Sequence, residues 1–382
     1  MHNFKRGVVI WFIVILILGI IVCDKDENIV SFKNEHRLMM SGEKTMIEIY
    51  EGIYRDAPDL FRAIAYSGKP KSNGYVGSSG ELHVGGNRAL GLYLIYGAVT
   101  DDISIINEGF ECLDLIFSRQ HENGFFFGVG PHPGDALSST CFFLNICQTF
   151  LALEELGDVN ISSRIDGYKP QILKAANFAR WSLYTWEDNG YKPILEDNGE
   201  IRVWRRWEEQ KDDEEYTGHD VQRQYNSRNS NRFAWDAGAY GFAGILLDDR
   251  SLKKYGRSSM NACFNMQEDN GVYLEADGSG PLGYDSSYQA VTCGLIFNYS
   301  LGFDFYNTSY YNNIEAGFDW LLSRINKETG EVLTEGNTRC GPGKKPMSYS
   351  EIIMCLLVAA QVYNEPEITD LAEQVVAYVR SQ

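Results

Sequence analysis

Asn261-Ala-Cys-Phe-Asn-Met-Gln267-Glu-Asp-Asn-Gly271-Val-Tyr273 reads as the end of an apolar helix, a polar turn closed by glycine, and the start of an extended stretch. A second and more apolar helix starts near Asp285 and continues Tyr288-Gln-Ala-Val-Thr-Cys-Gly-Leu-Ile-Phe297. The same unit recurs. Leu113-Asp-Leu-Ile-Phe-Ser-Arg-Gln120-His-Glu-Asn-Gly124 leads to a helix starting near Ser138. Phe318-Asp-Trp-Leu-Leu-Ser-Arg324-Ile-Asn-Lys-Glu-Thr-Gly330 leads to Met347-Ser-Tyr349-Ser-Glu351. A weaker copy runs from Phe178 to Gly190. Self-similarity of this length marks stacked supersecondary units.

Glycine after the first helix predicts a left-handed helix C-cap. Ser, Thr and Asp before the second predict N-caps. The second helices, such as Ile352 to Ala360, are apolar nearly all round and must be buried on most sides. Hairpins with one buried and one half-exposed helix suit a ring or a solenoid. The long loops rich in glycine and aromatics favour the ring. The predicted fold is therefore all-α, an α/α toroid in one domain over 45–382.

Working outward, Met46 to Tyr66 has helical spacing broken at Pro58, and a glycine-rich loop follows from Gly68 to Gly86. Residues 196–232 are polar and charged and read as a long insertion before the next helix. At the N-terminus, Lys5-Arg6 precedes an apolar run from Gly7 to Val22 and then Cys23-Asp-Lys-Asp-Glu27. That pattern predicts an export signal over 1–23. It resembles a bacterial lipoprotein signal with Cys23 as the lipidated residue, or an uncleaved signal anchor. Residues 24–44 are polar and read as a tether. The expected location is extracytoplasmic, held to the membrane through the N-terminus. The other seven cysteines form no metal-binding spacing or disulfide framework, and most lie in apolar helices as small buried hydrophobes.

The net charge of -18 argues against nucleic acid as a partner. No phosphate-binding loop, dinucleotide fingerprint, nucleophile elbow or zinc signature is present, so neither cofactor nor metal is expected.

In a toroid the starts of the inner helices converge at one mouth, where their free N–H groups and dipoles can hold an anion. Tyr284, Asp285 and Tyr288 would lie there. From Asn229 to Gly294 the sequence resembles the catalytic half of α/α-toroid polysaccharide lyases of the alginate lyase and heparinase-like group. The matching residues are Asn229-Ser-Asn231-Arg232-Phe233, then Gln267-Glu-Asp-Asn-Gly271, then Tyr284-Asp-Ser-Ser-Tyr288. That group places a histidine beside the asparagine. Here Arg232 stands there, and His219 lies twelve positions before Asn231.

The resemblance implies cleavage of a uronic-acid glycan by β-elimination. Tyr288 or Tyr284 would act as base and acid, and Asn231 with Arg232 would neutralise the carboxylate. Trp204, Trp207 and Trp235 are candidates for sugar stacking, with Arg205 and Arg206 for acidic groups. Arg339, Lys345 and Tyr349 would reach the mouth from one loop and His132 from another. The first alternative is a glycoside hydrolase on the same scaffold, which needs two carboxylates, with Asp236, Glu275 and Asp285 available. The second is a surface glycan-binding protein without turnover.

Overall fold

The computed structural model describes residues 44–76, 87–120, 124, 126, 136–182, 191–195, 201–206, 230–274, 283–303, 310–337 and 349–382. Twelve α-helices are formed by the described residues: α1 (Met46–Asp56), α2 (Pro58–Ala65), α3 (Leu90–Val99), α4 (Ile103–Ser118), α5 (Ala136–Glu154), α6 (Val159–Ser182), α7 (Ser230–Leu246), α8 (Arg250–Phe264), α9 (Ser286–Gly302), α10 (Tyr311–Ser323), α11 (Tyr349–Tyr363) and α12 (Pro366–Ser381). The predicted break at Pro58 is real, because proline takes the first position of α2. Thr45 and Glu48 form a capping box on α1.

The odd-numbered helices make the inner ring: α3 packs on α5, α5 on α7, α7 on α9 and α9 on α11. α1 packs on α11 and α3, with lesser contact to α5 and α9, and links the last inner helix to the first. The closure is polar. Gln361 Nε2 donates to Asp56 Oδ2 at 2.7 Å, and Lys44 Nζ donates to Gln361 O at 2.9 Å. Gly52 faces the Gln361 side chain, where a Cβ would collide. These contacts join residues some three hundred positions apart, so the ring is complete rather than an open solenoid. The even-numbered helices form the outer layer. Inner helices such as α11 are apolar on almost every face, which is the reason they can sit between two neighbours and an outer helix.

The repeat has a physical basis that the sequence only half displays. Gly124, Gly271 and Gly330 all have positive φ, at 93°, 90° and 73°. Each also presses on a carbonyl of the next outer helix: a Cβ would overlap Lys174 O, Ala316 O or Gln374 O. Two of the three units add a glutamine bridge. Gln120 Nε2 donates to Gly124 O and Gln171 O, both at 3.0 Å. Gln267 Nε2 donates to Gly271 O at 3.0 Å and Asn313 O at 2.7 Å. One glutamine thus ties its own turn to the neighbouring hairpin.

Two expectations are corrected. The turn glycines are not helix C-caps. The preceding helices end at Ser118, Phe264 and Ser323, on Arg119, Asn265 and Arg324, and the glycine sits in the tight turn beyond. Close packing on the next hairpin fixes the glycine there. Residues 196–232 are also not one long loop. Strands β1 (Tyr191–Leu195) and β2 (Ile201–Arg206) pair antiparallel, and α7 already begins at Ser230. The missed signal is Asn198-Gly199 between two short runs rich in β-branched and aromatic residues.

Candidate active site at the mouth of the ring

The helix starts meet through a chain of hydrogen bonds. Ser230 N, opening α7, donates to Leu274 O at 3.3 Å, and its hydroxyl donates to the same oxygen. One residue back, Tyr273 N donates to Gln289 Oε1 at 2.8 Å in the first turn of α9. Gln289 Nε2 reaches Gly317 O at 2.8 Å. Ser286 Oγ, opening α9, donates to Leu333 O at 2.9 Å. α7 and α9 run parallel, since Gly241 backs onto Tyr299 late in α9 and Phe303 just after it, and Gly302 backs onto Phe242 and Ile245. Leu144, midway along α5, meets Gly238, midway along α7. The predicted convergence therefore holds for α7 and α9.

Asp236 lies two turns into α7 and is 1 % exposed. Neither carboxylate oxygen has a hydrogen-bond partner among the described residues. Burial pushes its pKa well above the usual carboxylate range, and the Arg232 charge opposes this only in part. Arg232 sits one turn earlier on the same face. Its guanidinium lies 5.5 Å from the Trp235 ring centroid. Nε and Nη1 are buried and without hydrogen-bond partners among the described residues. A carboxyl whose pKa burial raises and a guanidinium with two nitrogens unpartnered among the described residues therefore stand together in a helix with no other charged residue. Asn231, the residue before, is fully buried.

The predicted residues of α9 divide. Asp285 is its N-cap: Oδ1 accepts from Ser287 N at 2.9 Å and Tyr288 N at 3.2 Å, and the side chain is buried. Asp285→Ala is expected to lower stability by about 1 kcal/mol, read as a denaturation midpoint. Activity per folded molecule should stay level; a larger activity loss would give Asp285 a chemical role. Tyr288 is half-buried in the first turn. Tyr284 is half-buried and packs outward, edge-on to Trp320 of the outer helix α10, with centroids 5.4 Å apart. Its hydroxyl is where a Cβ on Gly336 would fall. Tyr349 is half-buried at the start of α11, and burial, then Glu331, raises its pKa.

Sequence reasoning missed Arg324. Its guanidinium lies 5.6 Å from the Trp320 ring centroid and donates to Leu333 O and Glu335 O. Burial lowers its pKa, and Tyr284 and Glu335 act against that. Its only sequence signal was a basic residue ending the third repeat. The side chains of Trp204, Arg205 and Arg206 lie outside the described residues, as do Cys23, His132, Trp207, His219, Glu275, Arg339 and Lys345.

No protein-family profile and no curated protein sequence matches this chain. Solved structures do. A UGL variant named with dGlcA-Glc-Rha-Glc is 17% identical, with 84% of this chain and 86% of that chain covered and a TM-score of 0.51. Cellobiose 2-epimerase from Bacillus thermoamylovorans is 10% identical, with 82% and 85% covered and a TM-score of 0.51. A possible member of the GH105 family from Salmonella enterica serovar Paratyphi A is 11% identical, with 84% and 82% covered and a TM-score of 0.50. This chain shares their fold, an α/α toroid. At such identities the likeness is one of fold.

Proposed function

We propose that this chain is a glycoside hydrolase acting on an oligosaccharide that carries an acidic sugar, with Asp236 as proton donor. The observation that carries the reading is the buried Asp236 carboxyl, whose oxygens have no partner among the described residues and whose pKa burial raises. Glycosidic cleavage needs such a group to protonate the leaving oxygen. Glu275, directly after Leu274, is assigned as the second carboxylate. Arg232 is assigned to the substrate carboxylate, which a planar guanidinium can hold by two hydrogen bonds. The fold adds support, since the similar structures include a protein named with the saccharide dGlcA-Glc-Rha-Glc and an epimerase named for cellobiose.

The test is a panel of acidic and neutral oligosaccharides followed by reducing ends and by near-ultraviolet absorbance. Hydrolysis predicts new reducing ends without new absorbance; an unsaturated, absorbing product would instead mark β-elimination. That second reading rests on half-buried Tyr288 in the first turn of α9. Arg232→Gln is expected to raise KM for the acidic substrate by about ten- to a hundredfold, with a small change for a neutral analogue. Equal losses on both would remove the carboxylate from the proposal.

A further inference from the structure

We infer that the end of the toroid opposite the mouth rests against a lipid bilayer, so that the cleft faces away from the membrane. The first observation is where the described chain enters. Met46 N and Ile47 N donate to Glu155 Oε1 and Oε2 at 3.2 and 2.7 Å, and Glu155 directly follows α5. Lys44 Nζ bonds Gln361 O near the end of α11. Both anchor points belong to the C-terminal ends of inner helices, far from the mouth where α7 and α9 start.

The second observation is apolar surface beside that entry. Val159 is 80% exposed, Ile103 59% and Leu156 37%. Ile103 and Val159 are the first residues of α4 and α6, neighbours in the outer layer. Phe110 stacks on Tyr168 with centroids 6.3 Å apart, and Arg164 pairs with Asp114 at 3.1 Å, so the two helices lie alongside each other. Their first turns are thus level, and Leu156 is in the turn that follows Glu155.

The occupant follows from the sequence outside the described residues. The apolar run Gly7–Val22 is the stretch able to enter a bilayer, and among the described residues no helix is long and apolar enough to cross one. Residues 24–44 are polar and join that run to α1 in sequence. The chain that follows the run enters the toroid at the end that carries Ile103, Leu156 and Val159. Three aliphatic side chains bind a membrane weakly alone, but they add a second signal to the apolar run. The acidic residues at this end, Asp102 and Asp158, cap α4 and α6. Their charge favours zwitterionic over anionic lipid.

The full chain would be floated with vesicles of phosphatidylcholine, alone or mixed with phosphatidylglycerol. A fluorophore would sit at Asn160 or, as control, at exposed Glu335 on the mouth side. Wild type should float, more on phosphatidylcholine alone. A lipid-borne quencher should act on the label at 160 and spare the label at 335. Leu16→Asp should abolish flotation. Ile103→Glu with Val159→Glu should keep flotation but lose the quenching at 160, with saccharide turnover unchanged. Failure of wild type to float on either vesicle, or equal quenching at both labels, would overturn the inference. Neither outcome depends on what the cleft hydrolyses.

Discussion

Asp236→Asn is expected to lower kcat/KM on the hydrolysed oligosaccharide by about a hundred- to ten-thousand-fold, because the amide has no proton to give the leaving oxygen. The same change should not weaken the fold at neutral pH. The burial that raises the Asp236 pKa means that the folded state holds its proton to higher pH than the unfolded chain does. The associated penalty is absent below the ordinary Asp pKa of about 3.9 and grows as pH rises from there toward the folded-state value. Asparagine carries no such penalty, so the variant should match or exceed wild type in melting temperature at pH 7 and lose that advantage below the ordinary Asp pKa. Calorimetry beside the rate assay reads both effects. A variant that loses activity and melting temperature together would make Asp236 a structural residue.

Gly271→Ala is expected to cost about 2–5 kcal/mol of stability. Two effects act at one atom. The glycine holds φ at 90°, where a side chain strains the backbone, and its Cβ would overlap Ala316 O of the next outer helix. That carbonyl belongs to the helical backbone and cannot rotate away. Gly167→Ala is the control. It lies inside α6, and a Cβ there has open space, so the same substitution should be neutral or stabilise by about 0.5–1 kcal/mol. Urea midpoints of the two variants measure the contrast. A mild effect at Gly271 would mean that the hairpins are not joined through their turns.

Much of the ring was legible because the repeat writes its packing into the sequence. The turn glycines, the helix break at Pro58 and the Asp285 cap each follow from a local preference. The structure adds why glycine is required: a carbonyl from the next hairpin fills the space, and that neighbour is distant in sequence. Ring closure was illegible for the same reason, since Gln361 meets Asp56 and Gly52 through contacts that no local pattern encodes. The β1–β2 hairpin was missed although Asn198-Gly199 announced it, because the charged residues around it read as loop.

The candidate site was harder to read. Asp236 was one of three available carboxylates; it and Asp285 are both buried, and what separates them is that an Asp285 oxygen is taken by the start of α9 while neither Asp236 oxygen has a partner among the described residues. Tyr284 sat in the resembling stretch, yet its ring turns to Trp320 in the outer layer, a direction that sequence spacing does not give. Arg232 was visible as a charge beside Asn231. Its four-residue offset from Asp236, in a helix with no other charge, was the signal that joined them.

The most direct test is the protonation state of Asp236 itself, read by infrared difference spectroscopy of the carboxyl band between wild type and Asp236→Asn across pH. The protonated band should be present in wild type at pH 7 and absent in the variant, and Arg232→Gln should carry it to higher pH. An ionised Asp236 at pH 7 in the folded protein would contradict the proposed proton donor.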